Sequence, residues 1–308
     1  MNRWGEKRYH SMDYDLKELY GEKVYKITLN GGMTCPNRDG KVGHGGCIFC
    51  SAAGSGDFAG SATCSITEQL VMGKENLIKK RPVHSYIAYF QAFTNTYASV
   101  EYLRRIYMEA IQDPDVQILS IATRPDCLPE DILQLLEEIN QIKPVWVELG
   151  LQTIHPQTAT YIRRGYPLEV FEEAVNNLRR RNISVITHTI LGLPGENEDM
   201  MLESIDYLNK MDIQGIKLQL LHILKGTDLA LDYEKQPFWS PTMEEYISLL
   251  GKCIARLRPD ITIHRLTGDG PKELLIAPLW TSQKRTVLNT LHRYLKEQDI
   301  WQGKEYHV

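Results

Sequence analysis

Apolar runs and amphipathic stretches alternate along most of this chain. Residues 24–29, 84–91, 116–123, 145–152, 183–191 and 215–221 are nearly continuous apolar segments, the pattern of strands buried on both faces. Between them the apolar positions recur at helical spacing. Leu103, Ile106, Tyr107, Ala110 and Ile111 share one face, as do Ile132, Leu135, Leu136 and Ile139. Phe171, Ala174, Val175 and Leu178 form a third stripe, and Met201, Ile205 and Leu208 a fourth. Ser65-Ile66-Thr67-Glu68 fits a capping box, and Ser240-Pro241 reads as a cap residue followed by a first-turn proline.

Six βα units of about 35 residues favour a parallel barrel or partial barrel over an open sheet. The expected fold is α/β, a partial (β/α)6 TIM-like barrel over residues 20–225 with a C-terminal α/β extension over 226–308. Within the extension, residues 260–267 read as a strand and 282–295 as a helix. No low-complexity segment, solenoid repeat or linker interrupts the chain.

Composition narrows the class. With 308 residues, 43% hydrophobic and 24% charged, the chain has ample length for a buried core. No signal-like N-terminus and no 18-residue apolar run is present, so a cytoplasmic protein without membrane spans is expected. The net charge of −4 provides no global field for nucleic acid. Basic clusters at Lys79-Lys80-Arg81, Arg163-Arg164 and Arg179-Arg180-Arg181 read either as phosphate contacts or as solvated helix ends.

The cysteines change the picture most. Cys35 is followed after eleven residues by Cys47-Ile48-Phe49-Cys50, with Gly40, Gly43, Gly45 and Gly46 between. Three thiols in one glycine-rich loop leave one metal position open, which suits an iron–sulfur cluster that takes a reactant. The alternative is structural zinc, completed by His44 or Cys64. Cys253 lies on an apolar helix face and reads as core; Cys127 reads as structural.

Polar residues fall where the strands end: Gln91, Arg124, Asp126, Glu148, Gln152, His188, Glu196, Gln219 and His222. Reactive groups of βα barrels sit at those ends. Capping alone accounts for Asp126 and Glu196. Glu148 and Gln152 sit inside an otherwise apolar run, where an unpaired polar group costs on the order of 1–3 kcal/mol, so they point to a polar ligand. His222, His264 and Asp269 are further candidates for the substrate side.

Cys47-Ile48-Phe49-Cys50 resembles the cluster motif of radical S-adenosylmethionine (SAM) enzymes. The eleven-residue spacing, Thr123-Arg124-Pro125-Asp126 and Val147-Glu148-Leu149-Gly150-Leu151-Gln152 resemble the group around the catalytic subunit of Elongator. With Cys35-Pro36-Asn37-Arg38-Asp39-Gly40 added, residues 20–290 resemble the bacterial YhcC/YtqA-like family.

The resemblance implies a [4Fe-4S] cluster on Cys35, Cys47 and Cys50. SAM would be chelated at the open iron and cleaved reductively to methionine and a 5′-deoxyadenosyl radical. It further implies SAM contacts from Glu148 and Gln152, an adenine-facing segment at Ile190 and Gly192, and a low-potential electron donor such as flavodoxin or ferredoxin. Arg124 would meet the SAM carboxylate, with a surface ion pair as the alternative. Gln91 stands where relatives carry a glycine-rich motif that meets the SAM amino group. Through the Elongator-like group, tRNA becomes a candidate substrate.

Overall fold

The computed structural model describes residues 4–54, 56–79, 83–268 and 270–307. Its elements follow the alternation in the sequence. Helix α1 (Met12–Tyr20) precedes β1 (Tyr25–Leu29), and the long cysteine loop leads to α2 (Ile66–Ile78). There follow β2 (Tyr86–Phe90), α3 (Val100–Gln112), β3 (Val116–Thr123), α4 (Glu130–Asn140) and β4 (Val145–Gln152). Next come α5 (Pro156–Tyr161), α6 (Leu168–Arg180), β5 (Ser184–Leu191), α7 (Glu198–Leu208) and β6 (Gly215–Leu220). The C-terminal part holds β7 (Ile223–Leu224), α8 (Asp228–Lys235), α9 (Met243–Arg256), β8 (Thr262–Arg265), β9 (Leu275–Ala277) and α10 (Lys284–Glu297).

The main sheet, among the described residues, has seven strands in the order β1-β2-β3-β4-β5-β6-β8, each pair parallel. The expected partial barrel is thus observed, with a seventh strand. That strand is β8, from the region read as an extension; Gly215 and Ile216 pair with Thr262 and Ile263. β7 and β9 form a separate antiparallel ribbon.

Local signals set the helix starts. Ser65 caps α2 with a complete capping box through Glu68. The signal at Ser240-Pro241 is displaced: α9 begins at Met243, capped by Thr242 with its own box through Glu245. The competing box, which satisfies two backbone groups at once, overrides the proline signal.

Period-two alternation then divides each strand. Ile27 and Leu29, Ala88 and Phe90, Leu119 and Ile121, Val147 and Leu149, and Ile216 and Leu218 join the core that includes the apolar stripes of α3, α4, α6 and α7. The intervening residues, Lys26, Tyr89, Ser120, Glu148, His188 and Lys217, meet one another inside the sheet's curl. Flat strands about 4.8 Å apart would hold β1 and β4 about 14 Å from each other. Lys26 Nζ nevertheless lies 2.5 Å from Glu148 Oε1. Only a strongly curled sheet permits that contact. A smaller cluster of Leu16, Val24, Ile87 and Ile118, with Met12, Tyr20 and Trp146 against it, ties α1 to the sheet.

Candidate functional site

The cysteine loop leaves β1 and is fastened back onto the barrel by backbone and side-chain bonds. Cys50 N–H donates to Cys47 O at 3.0 Å, closing a tight turn between these cysteines. Gly46 N–H donates to Asn37 O at 2.8 Å, and Ile48 N–H to Ile162 O at 3.3 Å. The Arg38 guanidinium donates to the carbonyls of Ser51 (2.5 Å) and Cys50 (3.3 Å), stacked against Phe93. Asn37 Nδ2 donates to Arg163 O at 2.5 Å and lies 3.5 Å from Cys47 Sγ. Gly46 takes φ 91°, and a Cβ there would come within 2.9 Å of Arg38 Nε. The residue type follows from both constraints, because L side chains rarely adopt that backbone and the space is filled.

Cys35, Cys47 and Cys50 all line one cavity of about 270 Å³ at the C-terminal ends of the strands. Gln91, Arg124, Glu148, Gln152 and Ile190 line it too, with Gln219 and His222 on the far side. Gly192, with φ 83°, turns the chain just past β5 and is not among the lining residues. His264 lies below the cavity, edge-on to Trp146. Asp269 lies outside the described residues.

Individual geometries refine the expectations. Gln152 sits in the left-handed region at φ 62°, where the β4–β5 register shifts, and its Oε1 accepts from Tyr166 Oη at 3.2 Å. Phe93 (φ 59°) lines the same cavity, and Arg163 (φ 56°) adjoins Asn37. A left-handed non-glycine residue costs of order 1–3 kcal/mol, and such residues concentrate at working sites. Arg124 forms an ion pair, but a buried one. Its fork donates to both Asp126 oxygens at 2.9 and 2.6 Å and to Arg164 O at 2.9 Å, leaving two N–H groups. Asp126 thus pairs with Arg124 instead of capping an element, and Glu196 accepts from Thr153 Oγ1 at 2.5 Å while Asn197 caps α7.

Glu148 is the hub of a polar layer that the sequence reading missed. Its Oε1 accepts from Lys26 Nζ (2.5 Å) and Ser120 Oγ (2.7 Å); its Oε2 meets His188 Nε2 (2.7 Å) and Lys217 Nζ. Tyr89 lies between the lysines, with Lys26 Nζ 4.5 Å and Lys217 Nζ 4.6 Å from its ring centre, and its hydroxyl is 3.1 Å from Lys217 Nζ. Burial pushes the Glu148 carboxyl up, but Lys217 and Lys26 outweigh it and hold it well below the usual carboxylate range. Burial, reinforced by Lys217, lowers His188 to about 4. The available signal was a lysine inside each of two apolar strands, Lys26 and Lys217.

A cluster is tested by the donors themselves. Burial and the neighbouring Cys50 push the Cys47 thiol up to about 12, so a metal must displace its proton on binding. Among the described residues, no three His, Cys, Asp or Glu side chains converge on a point fit for a single ion. A zinc site closes four ligands at about 2.0–2.3 Å, whereas thiolates of a four-iron group stand further apart around one cavity. Neither His44 nor Cys64 lines the cavity with the three thiols. The donor set fits an iron–sulfur cluster better than zinc. Cys253 is fully buried in the main core, and Cys127 is buried beside Asp126.

Residues 35–208 match the family model described as the radical SAM superfamily, and residues 213–297 match the radical SAM C-terminal domain. This chain belongs to the radical SAM superfamily. Among its curated relatives is the uncharacterized protein YtqA of Bacillus subtilis, 47% identical over 97% of this chain and 93% of that protein. Protein YhcC of Escherichia coli K12 is 39% identical over 93% of this chain and 92% of its own length. More distant is the tRNA uridine(34) acetyltransferase of Methanocaldococcus jannaschii, 23% identical over 59% of this chain and 33% of that protein. The Methanocaldococcus infernus Elp3 structure shares the radical SAM fold seen here, with a TM-score of 0.69, 17% identity, and coverage of 91% of this chain and 64% of that one. No helix among the described residues is long and apolar enough to cross a membrane.

Proposed function

We propose that the protein is a radical SAM enzyme whose Cys35, Cys47 and Cys50 hold a [4Fe-4S] cluster, and that it modifies a polar substrate in the barrel mouth. The observation that carries this reading is that three thiols from one loop line the same cavity as Gln91, Arg124, Gln152 and Ile190, four strand-end residues expected at SAM, with Glu148 reaching it from mid-strand. When bound, the cluster and SAM supply one-electron reductive cleavage of the sulfonium.

The chain's own residues arrange that event. Asn37 faces Cys47 with an amide N–H, the kind of contact that adjusts a cluster's potential. The Gln152 amide is aimed by its left-handed backbone and by Tyr166. Arg124 retains two N–H groups for a carboxylate, Gln91 offers an amide, and Ile190 gives an apolar edge for an adenine, with Gly192 turning the chain beyond it. Glu148 anchors the layer beneath through Lys26 and Lys217, which positions the strand ends. A low-potential donor such as flavodoxin or ferredoxin supplies the electron, in a reducing cytoplasmic compartment.

A tRNA substrate is the second reading, and the name of the M. jannaschii relative supports it. The surface gives it little. Arg164 is buried and donates to the carbonyls of Leu151, Thr153 and Tyr166, so it is no phosphate contact. Arg163 pairs with Asp228, Arg179 with Asp212, and Arg181 with Glu130 and Glu137. Of the third cluster, Lys80 and Arg81 lie outside the described residues.

Anaerobic reconstitution tests the proposal. Wild type should show [4Fe-4S] absorbance and, with dithionite, form 5′-deoxyadenosine from SAM. Cys35→Ala, Cys47→Ala and Cys50→Ala should each abolish both signals, while Cys64→Ala, Cys127→Ala and Cys253→Ala retain the cluster. A normal cluster in Cys35→Ala would refute the three-thiol assignment.

A further inference from the structure

The segment after the last loop cysteine sets an acid into the cavity wall. Phe93 N–H donates to Gly54 O at 2.9 Å, and a Cβ on Gly56 would lie 2.5 Å from the Cβ of Ala92, so this segment lies flush against the end of β2. On its other side Thr28 Oγ1 donates to Phe58 O at 2.7 Å and Gly60 N–H to Thr28 O at 3.2 Å, which ties it to β1. A turn closed by Ala59 N–H to Gly56 O at 2.8 Å carries Asp57 between these anchors. Asp57 is half-buried and lines the cavity with the three cysteines.

Among the described lining residues, the acids are Asp57 and Glu148. Glu148 is occupied by four donors, from Lys26, Ser120, His188 and Lys217. Asp57 takes the Ser51 hydroxyl, shared between its two oxygens at 3.2 and 3.1 Å, and among the described residues no cation pairs with it. Arg38, which shares the loop and the cavity, donates instead to the Cys50 and Ser51 carbonyls. A carboxylate offers about four acceptor sites, so Asp57 keeps most of its capacity at the cysteine end of the cavity.

We infer that Asp57 accepts the N–H groups of the SAM amino group, the role that the position of Gln91 suggests for that residue. The inference rests on the radical SAM reading and assigns a further residue of that same site. As an ammonium, or with its lone pair given to iron, the amino nitrogen can only donate. A carboxylate is a stronger acceptor for such a donor than the neutral Gln91 amide. Position agrees with chemistry, because Ser51, which holds Asp57, directly follows Cys50.

Isothermal titration of the full-length, cluster-loaded protein tests the inference with S-adenosylhomocysteine, which carries the amino group, and its deamino analogue, which differs in lacking that nitrogen. Asp57→Asn keeps the size of the side chain and can still accept from Ser51, so the loop is retained. It should weaken S-adenosylhomocysteine binding roughly tenfold or more, the worth of a hydrogen bond to a charged group, and leave the deamino analogue unchanged. Asp57→Glu, which restores the charge, should recover most of the loss. Equal weakening of both ligands would make Asp57 a support of the loop, and unchanged affinity for S-adenosylhomocysteine would remove it from the site; either result overturns the inference. Where the deamino analogue binds too weakly to titrate, the comparison of Asn with Glu decides, and a loss that Glu does not repair overturns it too. Cluster absorbance and 5′-deoxyadenosine formation by wild type report separately on the radical SAM assignment. If those signals are present without an amino-specific loss in Asp57→Asn, only Asp57 is misassigned; if they are absent, the enzyme assignment fails and the inference with it.

Discussion

At the scale of single residues, the site is recognised by side chains that sit where stability alone would not put them. Gln152 is the clearest, a non-glycine residue at φ 62° at the end of an apolar strand. If its amide serves SAM, Gln152→Gly should leave the urea midpoint equal or raise stability by up to about 1 kcal/mol, because glycine accepts that backbone without the strain of about 1–2 kcal/mol. SAM affinity should fall by roughly tenfold or more, the worth of a hydrogen bond to a charged ligand. Loss of stability with unchanged SAM titration would assign Gln152 to the fold instead. His188 gives a second test. Its folded-state value of about 4 lies below the ordinary 6.5, so below pH 6.5 the unfolded chain takes up a proton that the folded chain refuses. Its contribution to stability is complete above that range and declines as pH falls towards 4. Between pH 7 and 5 the cost should be about 2 kcal/mol. Urea unfolding of the cluster-free protein at both values, for wild type and His188→Gln, should show the variant less pH-sensitive by about that amount; parallel slopes would count against a neutral buried His188.

At the scale of elements, the cysteine loop depends on glycines as much as on thiols. Gly46→Ala would force a side chain into φ 91° and against Arg38, which holds the Cys50 and Ser51 carbonyls. We expect lower iron and sulfide content after reconstitution with little change in the far-ultraviolet circular dichroism, since the loop lies outside the sheet; full iron content would show that the loop tolerates the change. Most elements were legible because their signals are local. The apolar stripe of α3 and the box at Ser65 can be read within a dozen residues of sequence. Glu148 and Gln152 stood out for a related reason, as polar residues interrupting an apolar run. What escaped depends on distant pairing. Nothing near residue 262 announces that β8 will extend the sheet beside β6. The partners of Glu148 come from β1, β3, β5 and β6, and only the curl of the sheet brings them together. The start of α9 was missed where two local signals competed within three residues.

At the scale of the whole molecule, the question is whether residues 226–308 form a separable extension or part of one cooperative body. Several long-range ties favour the second. β8 covers the edge of β6, and Tyr246, Leu250, Ile254, Leu257, Leu291 and Leu295 belong to the same core as the barrel strands. The N-terminal segment is bound to the far end of the chain as well. His10 N–H donates to Gln302 Oε1 at 2.8 Å, Ile263 N–H donates to His10 O at 2.7 Å, and Arg8 pairs with Asp299. Arg265, which lines the cavity, also comes from β8. Removing residues 226–308 would therefore leave the β6 edge unpaired and expose the apolar surface beneath α9, at about 25 cal/mol for each Å² uncovered. Stability of a whole domain is only about 5–15 kcal/mol, so loss of several buried leucines and isoleucines is enough to exceed it. We expect the fragment ending at residue 225 to be insoluble or to lack a cooperative thermal transition, and the full chain to unfold in a single transition with matching fluorescence and circular dichroism midpoints. A fragment that melts cooperatively and assembles a cluster would show instead that the barrel folds alone and that the C-terminal part is an addition to it.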